Sequence, residues 1–100
     1  MKKGARQTWW LRLYVAGHTP KSLTALANLK RLCERHFAGG YRIEVVDLLI
    51  QPHLARRDDI VVIPTLVRKL PPPIRRIIGD LANEERVLAA LDGLPRQRGE

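Results

Sequence analysis

The side chains best suited to chemistry in this chain are three histidines, one cysteine and one adjacent pair of acids. His18, His36 and His53 are too widely separated to suggest a metal triad. His18 falls on a loop, His36 at a helix end and His53 just after Pro52, all places for exposed or capping imidazoles. Asp58-Asp59 offers a carboxylate pair, but neighbouring residues on a helix diverge, and no base or nucleophile accompanies them. The lone thiol of Cys33 excludes an internal disulfide framework and a Cys-only zinc site. Its place two-thirds along an apolar helical face marks it as inert core. The sequence holds no glycine-rich phosphate loop and no Gly-x-Ser-x-Gly elbow. The expectation is a protein with no catalytic residue, no metal and no cofactor, and hence no enzyme.

Binding is then the function class to weigh, and charge is its first guide. The net charge is +8, unevenly spread: residues 1–50 carry nine Lys/Arg against three acids, residues 51–100 nine against seven. Such a surplus suits nucleic acid. The basic residues are scattered, however, as Arg56-Arg57, Arg68-Lys69 and Arg75-Arg76, with no dense run. That pattern fits a solvated basic surface, whose other use is docking on an acidic protein. An apolar fraction of 45% over 100 residues fits one folded domain, residues 1–100, with 1–7 and 95–100 expected to be flexible. The longest uncharged apolar run, Ile60–Val67, is far short of the roughly 20 residues that span a bilayer. Lys2, Lys3 and Arg6 imitate the start of a secretory signal, but Arg12 interrupts the apolar stretch and no small-residue cleavage site follows. A cytoplasmic protein with no membrane contact is expected.

The elements that position these residues can be read in order. Thr8–Val15 is aromatic and β-branched, with Leu11, Leu13 and Val15 alternating with Arg12 and Tyr14, as in a strand. Ala16-Gly17-His18 turns the chain, Thr19 is a natural N-cap and Pro20 suits the first helical position. Leu23, Leu26, Leu29, Leu32 and Cys33 then make one helical face ending near His36. Gly39-Gly40 closes the unit, and Tyr41–Leu48 forms a second strand. This is a βαβ unit with parallel strands. Beyond it, one reading gives a short helix over Pro52–Asp58, a strand at Ile60–Ile63, Pro64, and a hairpin of Thr65–Leu70 with Ile74–Ile78 about Pro71-Pro72-Pro73. A last helix follows, capped by Asn83, with Glu84 and Glu85 in its first turn, Val87, Leu88, Leu91 and Leu94 on its inner face, and Gly93 at its end. The order βαβαββα is an α/β fold of thioredoxin topology.

A second reading fits the same residues. Ile74, Ile77, Ile78 and Leu81 are spaced i, i+3, i+4, i+7, with Arg75, Arg76 and Asp80 outward and Pro73 in a first turn, as in a helix. Gly79 costs about 1 kcal/mol in either interior and does not decide. Local pattern and global topology thus disagree over residues 73–81.

A thioredoxin-like fold would place a redox dithiol just after the first strand. That stretch reads Gly17-His18-Thr19-Pro20-Lys21-Ser22, without cysteine, so thiol–disulfide chemistry is excluded. Ile63-Pro64-Thr65 resembles the cis-proline site that precedes the hairpin in such folds. Trp9 and Trp10 must face opposite ways; one belongs to the core and the other to a subunit or partner contact, assigned to Trp9.

The residues Leu-Tyr-Val-Ala-Gly-His-Thr-Pro-Lys-Ser at 13–22, Ile-Pro-Thr-Leu at 63–66 and Pro-Pro-Pro-Ile-Arg-Arg-Ile-Ile-Gly-Asp-Leu at 71–81 resemble the KaiB family of circadian clock proteins. Val87-Leu88 and Leu91-Asp92 continue the match, which covers roughly residues 8–94. The resemblance implies a metamorphic chain: a ground state, usually tetrameric, of order βαββααβ, and a thioredoxin-like monomer that binds the KaiC ATPase ring. It further implies competition with a histidine kinase (SasA) and, in cyanobacteria, capture of KaiA, which is left open for this chain, as is a tetramer or dimer. By position it implies a switching half over 52–94 containing Pro64, Pro71, Pro72, Gly79, Ala90 and Asp92, and a KaiC-facing surface at Tyr41, Arg42, Glu44, Asp58 and Asp59. Family members often carry a basic residue where Glu44 stands and a small one where Arg42 stands, and an acidic tail is replaced by Pro-Arg-Gln-Arg-Gly-Glu. Those departures point to a non-cyanobacterial member with a KaiC relative as partner and a circadian or stress-related role.

Overall fold

The computed structural model describes residues 8–92. In chain order these form β1 (Trp9–Val15), α1 (Pro20–His36), β2 (Tyr41–Asp47), a 3-10 turn (Pro52–Arg56), β3 (Thr65–Leu70), β4 (Arg75–Ile78) and α2 (Glu84–Asp92). The sheet order is β2-β1-β3-β4. β1 runs parallel to β2, with Trp9 opposite Tyr41 and Val15 opposite Asp47. β1 is antiparallel to β3, with a register shift between Trp10 and Leu11, and β3 is antiparallel to β4.

Local chemistry explains the boundaries. Thr19 adopts an extended conformation, accepts from the Ser22 N–H and is followed by Pro20 at the head of α1. Gly17 turns the chain at φ +57°, and a Cβ there would meet Leu49 Cδ1 at 2.8 Å. At the other end of the fold, Asn83 Oδ1 accepts from the Arg86 N–H at 3.0 Å, capping α2.

The two faces of the sheet are covered differently. Leu11, Leu13, Val15 and Leu66 face the helices and pack with Ala25, Leu29, Leu32 and Cys33 of α1 and Val87 and Leu91 of α2. Each fully buried leucine contributes about 2 kcal/mol. The expected helix face is rotated slightly: Ser22 and Ala25 are buried, while Leu23 is 49% exposed. On the opposite face Tyr14, Val46 and Val67 are roofed only by the crossover, through Leu48, Leu54, Ile60 and Ile63.

Two sequence expectations are corrected. The helix over Pro52–Asp58 is a five-residue 3-10 turn that stops at Arg56. The chain turns out of helical geometry at Asp59, whose φ is +55°. Ile60–Ile63 is not a strand. The Ile60 N–H is committed to the Ala55 carbonyl at 2.8 Å, and Pro64 has no N–H for a ladder. Residues 75–78 form a strand in this structure, so the hairpin reading describes it, with Ile74 and Ile78 48% and 63% exposed. Leu81, at φ +63°, ends the apparent helical repeat. Expected flexibility at 1–7 and 95–100, and the roles of Gly93 and Leu94, lie outside the described residues.

The cap at Thr19 yields a direct check. Thr19→Ala is expected to lower unfolding stability by about 1 kcal/mol in urea titration. Thr24→Ala, on the exposed side of the same helix, is expected to leave it near wild type.

Candidate functional site

The corner where a thioredoxin-like fold would carry its dithiol holds hydroxyls. The Thr19 and Ser22 side-chain oxygens lie 2.8 Å apart and Ser22 Oγ accepts from the Ala16 N–H at 3.3 Å. Ile63–Pro64 is a cis peptide, as the topology leads one to expect. Cys33 lies inside α1, fully buried, and burial pushes its thiol up to about 12. It is therefore a protonated core side chain at physiological pH.

The charged chemistry sits on the sheet face opposite the helices. Asp58 is 2% exposed. Its Oδ1 accepts from Lys69 Nζ at 2.8 Å, and its Oδ2 accepts from the Tyr14 hydroxyl at 2.8 Å and from Arg12 Nη1 at 3.4 Å. Its backbone carbonyl accepts from Arg76 Nε at 2.8 Å. Arg12 also donates through Nε to Glu44 Oε1 at 3.1 Å, an oxygen that accepts from Trp10 Nε1 at 3.1 Å. The Arg42 guanidinium lies 4.6 Å from the Trp10 ring centroid. A cationic residue in the central strand is thus bridged between an acid on the edge strand and an acid on the crossover.

Electrostatics follow from that geometry. Burial opposes ionisation of Asp58, but hydrogen bonds from Lys69 and Tyr14, with the charges of Lys69 and Arg12, outweigh it and hold the carboxyl below its ordinary value. Glu44 is likewise held low against desolvation by Arg12 and Trp10. Tyr14 is raised, chiefly by burial, so its hydroxyl keeps the proton that it donates.

The five candidate partner residues divide between several settings. Tyr41 packs against the helix-side core. Arg42 and Glu44 lie on the opposite face beside Trp10. Asp58 is the buried centre of the ion cluster, whereas the Asp59 side chain is 88% exposed and 3.9 Å from Arg76. Trp9 is held within its own chain, stacked on Phe37 at 4.3 Å, and both tryptophans are half-buried rather than one core and one free. Among the switching positions, Pro64 is buried, and its carbonyl accepts from the Gly79 N–H at 3.0 Å. Gly79 has φ +119°. Ala90 lines a groove beside β4. Pro71 and Pro72 lie at the β3–β4 turn and Asp92 is the last described residue of α2. Sequence reasoning missed Trp10, Arg12, Tyr14 and Lys69 as a unit. The available signal was an arginine between leucines in a central strand with tryptophan and tyrosine two residues either side. Among the described residues no group of three or more His, Cys, Asp or Glu could hold a metal, and no helix is long and apolar enough to cross a membrane.

Residues 12–93 match the family model for the KaiB domain. The chain belongs to the KaiB family. It is 54% identical over 88 residues to the circadian clock oscillator protein KaiB of Prochlorococcus marinus subsp. pastoris, covering 88% of this chain and 82% of that protein. With the KaiB of Thermostichus vulcanus it shares 50% over 95 residues, covering 95% and 88%. Among solved structures, the N-terminal domain of Synechococcus elongatus SasA superposes with a TM-score of 0.73 at 22% identity, over 95% of this chain and 90% of that one. Mitochondrial thioredoxin 3 of Saccharomyces cerevisiae gives 0.68 at 17% identity, over 89% and 81%. The fold of this KaiB-family chain is therefore thioredoxin-like, in a family whose relatives are named as clock oscillator proteins rather than enzymes.

The Asp58 cluster sets a pH dependence. A carboxyl held below its unfolded value adds stability that is complete above about pH 4 and is lost as pH falls through the lowered folded value. Asp58→Asn is expected to cost about 3 kcal/mol at neutral pH, because it removes the anion paired with Lys69 and with one side of Arg12. In denaturant unfolding at a series of pH values, the gap between wild type and Asp58→Asn is expected to narrow on acidification; a constant gap would contradict the assignment.

Proposed function

We propose that this chain is a non-enzymatic timing adaptor. It binds a KaiC-type ATPase and, through a slow change of fold, regulates that partner's phosphorylation and ATPase cycle in a circadian or stress-related system of the cytoplasm. The observation that carries the reading is the match to clock oscillator proteins over most of the chain. An empty redox corner on a thioredoxin-like frame supports binding in place of thiol chemistry, since the positions that would react carry Thr19 and Ser22.

In this reading Arg42, Glu44 and Asp59 meet the ATPase directly with Tyr41 behind them, and Asp58 acts by keeping the crossover seated. The switching half is 52–94. Its double pattern at Ile74–Leu81 is what a segment with two packings within a few kcal/mol requires. Pro64, Pro71, Pro72, Gly79, Ala90 and Asp92 set the balance, and a rare binding-competent form lowers apparent affinity by its own fraction. Trp9 contributes to a homo-oligomer, tetramer or dimer, in the other form. A histidine kinase sharing the thioredoxin-like fold would compete for the ATPase; KaiA capture is an optional addition.

Size-exclusion chromatography with the organism's own KaiC-type ATPase and nucleotide, sampled over hours, tests this. Slow, nucleotide-dependent co-elution is expected. Absence of co-elution at every time with intact ATPase overturns it and favours the alternative, a basic module for nucleic acid, whose affinity would fall steeply with salt. Substitutions at Ala90 and Asp92 are expected to shift the fold balance, read by NMR or sizing, more than Cys33→Ser does.

A further inference from the structure

The sheet has two outer strands, and their surroundings differ. β2 carries Arg42, Glu44 and Asp47, a mixed set of charges. β4 reads Arg-Arg-Ile-Ile and, among the described residues, pairs on one side only, with β3. In an antiparallel edge strand, backbone N–H and C=O groups alternate between the partner and the open side. Beside that edge lies a groove of about 480 Å³, with Ile78, Leu81, Val87 and Ala90 as its apolar lining and Arg76 and Arg86 among its polar residues. Ile78 is 63% exposed. Arg75 and Arg86 make no ion pair among the described residues, and Arg76 donates through Nε to the Asp58 carbonyl at 2.8 Å while its Nη2 lies 3.9 Å from Asp59, so its charge is only loosely paired. The groove's own acid, Asp80, accepts from the Ala82 N–H at 3.0 Å in a local turn.

We infer that the β4 edge and this groove form a docking site for an extended acidic segment of a partner protein, which adds as a strand beside Arg75–Ile78. Backbone hydrogen bonds to the edge would hold it; on the groove side its apolar side chains would pack on Leu81, Val87 and Ala90 and a carboxylate would meet Arg86, and carboxylates on its two faces would meet Arg75 and Arg76. Charge selects this occupant. A second copy of the chain carries +8, and residues 93–100 carry Arg96 and Arg98 against Glu100, so neither complements three arginines. The inference does not rest on the ATPase reading; the site takes any partner with that chemistry.

The test uses the full chain, isotope-labelled for NMR, and a synthetic peptide of repeating Glu-Glu-Val-Val, which puts both residue types on each face, about eight residues long to span a strand. Amide shifts centred on Arg75–Ile78 and Ala82–Ala90 are expected, with binding that weakens as salt rises. Arg75→Glu with Arg86→Glu is expected to weaken binding about tenfold or more. Arg56→Glu with Arg57→Glu, the same charge change elsewhere, is expected to leave it within about twofold. A backbone N-methylated peptide is expected to lose binding; if it keeps full affinity, strand addition is wrong. Shifts centred on Tyr41–Asp47, equal losses from both arginine pairs, or no shifts at all overturn the site. So does an oligothymidine that displaces the peptide at similar affinity, which would reassign the arginines to phosphate.

Discussion

Arg12 sits in the central strand of a four-stranded sheet at 8% exposure, and the rest of the fold is arranged to neutralise it. A buried guanidinium without partners would cost several kcal/mol. Here Glu44 arrives from the neighbouring strand and Asp58 from a crossover that has little regular structure of its own. Asp58 is in turn fixed by Tyr14, Lys69 and Arg76, so strands β1, β3 and β4 all hold the same short segment. Because the helices lie on the other face, this polar clamp and the small cluster around Tyr14, Val46 and Val67 are what close the sheet on its second side.

That division bears on function. The helix face is an apolar core built on α1 and α2. The opposite face ends in an aromatic–arginine–glutamate surface at Trp10, Arg42 and Glu44, next to the exposed Asp59. A crossover fastened largely by ion pairs and a 3-10 turn has fewer buried apolar contacts than α1, which places it at the low-stability end of the molecule. That surface straddles two parts of the chain: Trp10, Arg42 and Glu44 belong to the first βαβ unit, and Asp59 to the crossover that follows it. The corner that carries the dithiol in thioredoxins is here a helix cap built from the hydroxyl groups of Thr19 and Ser22.

Much of the frame was legible in the sequence. Alternation at Leu11–Val15, the Thr19-Pro20 start and Asn83 before two glutamates each carry a local signal strong enough to survive tertiary context. The crossover was not legible, because its conformation follows from where Asp58 must reach; no local pattern distinguishes a 3-10 turn from a helix over Pro52–Asp58. Ile60–Ile63 looks like a strand by composition, yet only its two ends, Ile60 and Ile63, pack over Tyr14 and Val67, while Val61 and Val62 are exposed. The ion cluster was hidden for a similar reason. Arg12, Asp58 and Lys69 are distant in sequence, and only the register of three strands brings them together. At Ile74–Leu81 the two readings correspond to two real periodicities, and the β3 partner decides between them in this fold.

Carbon chemical shifts of Ile74–Leu81, recorded with and without a saturating KaiC-type ATPase and nucleotide, test the central claim most directly. The account predicts strand shifts at Arg75–Ile78 in the complex, matching the hairpin described here, whatever form dominates in the free protein. Helical shifts across those residues in the bound state would contradict it, because the partner would then be recognising a different fold.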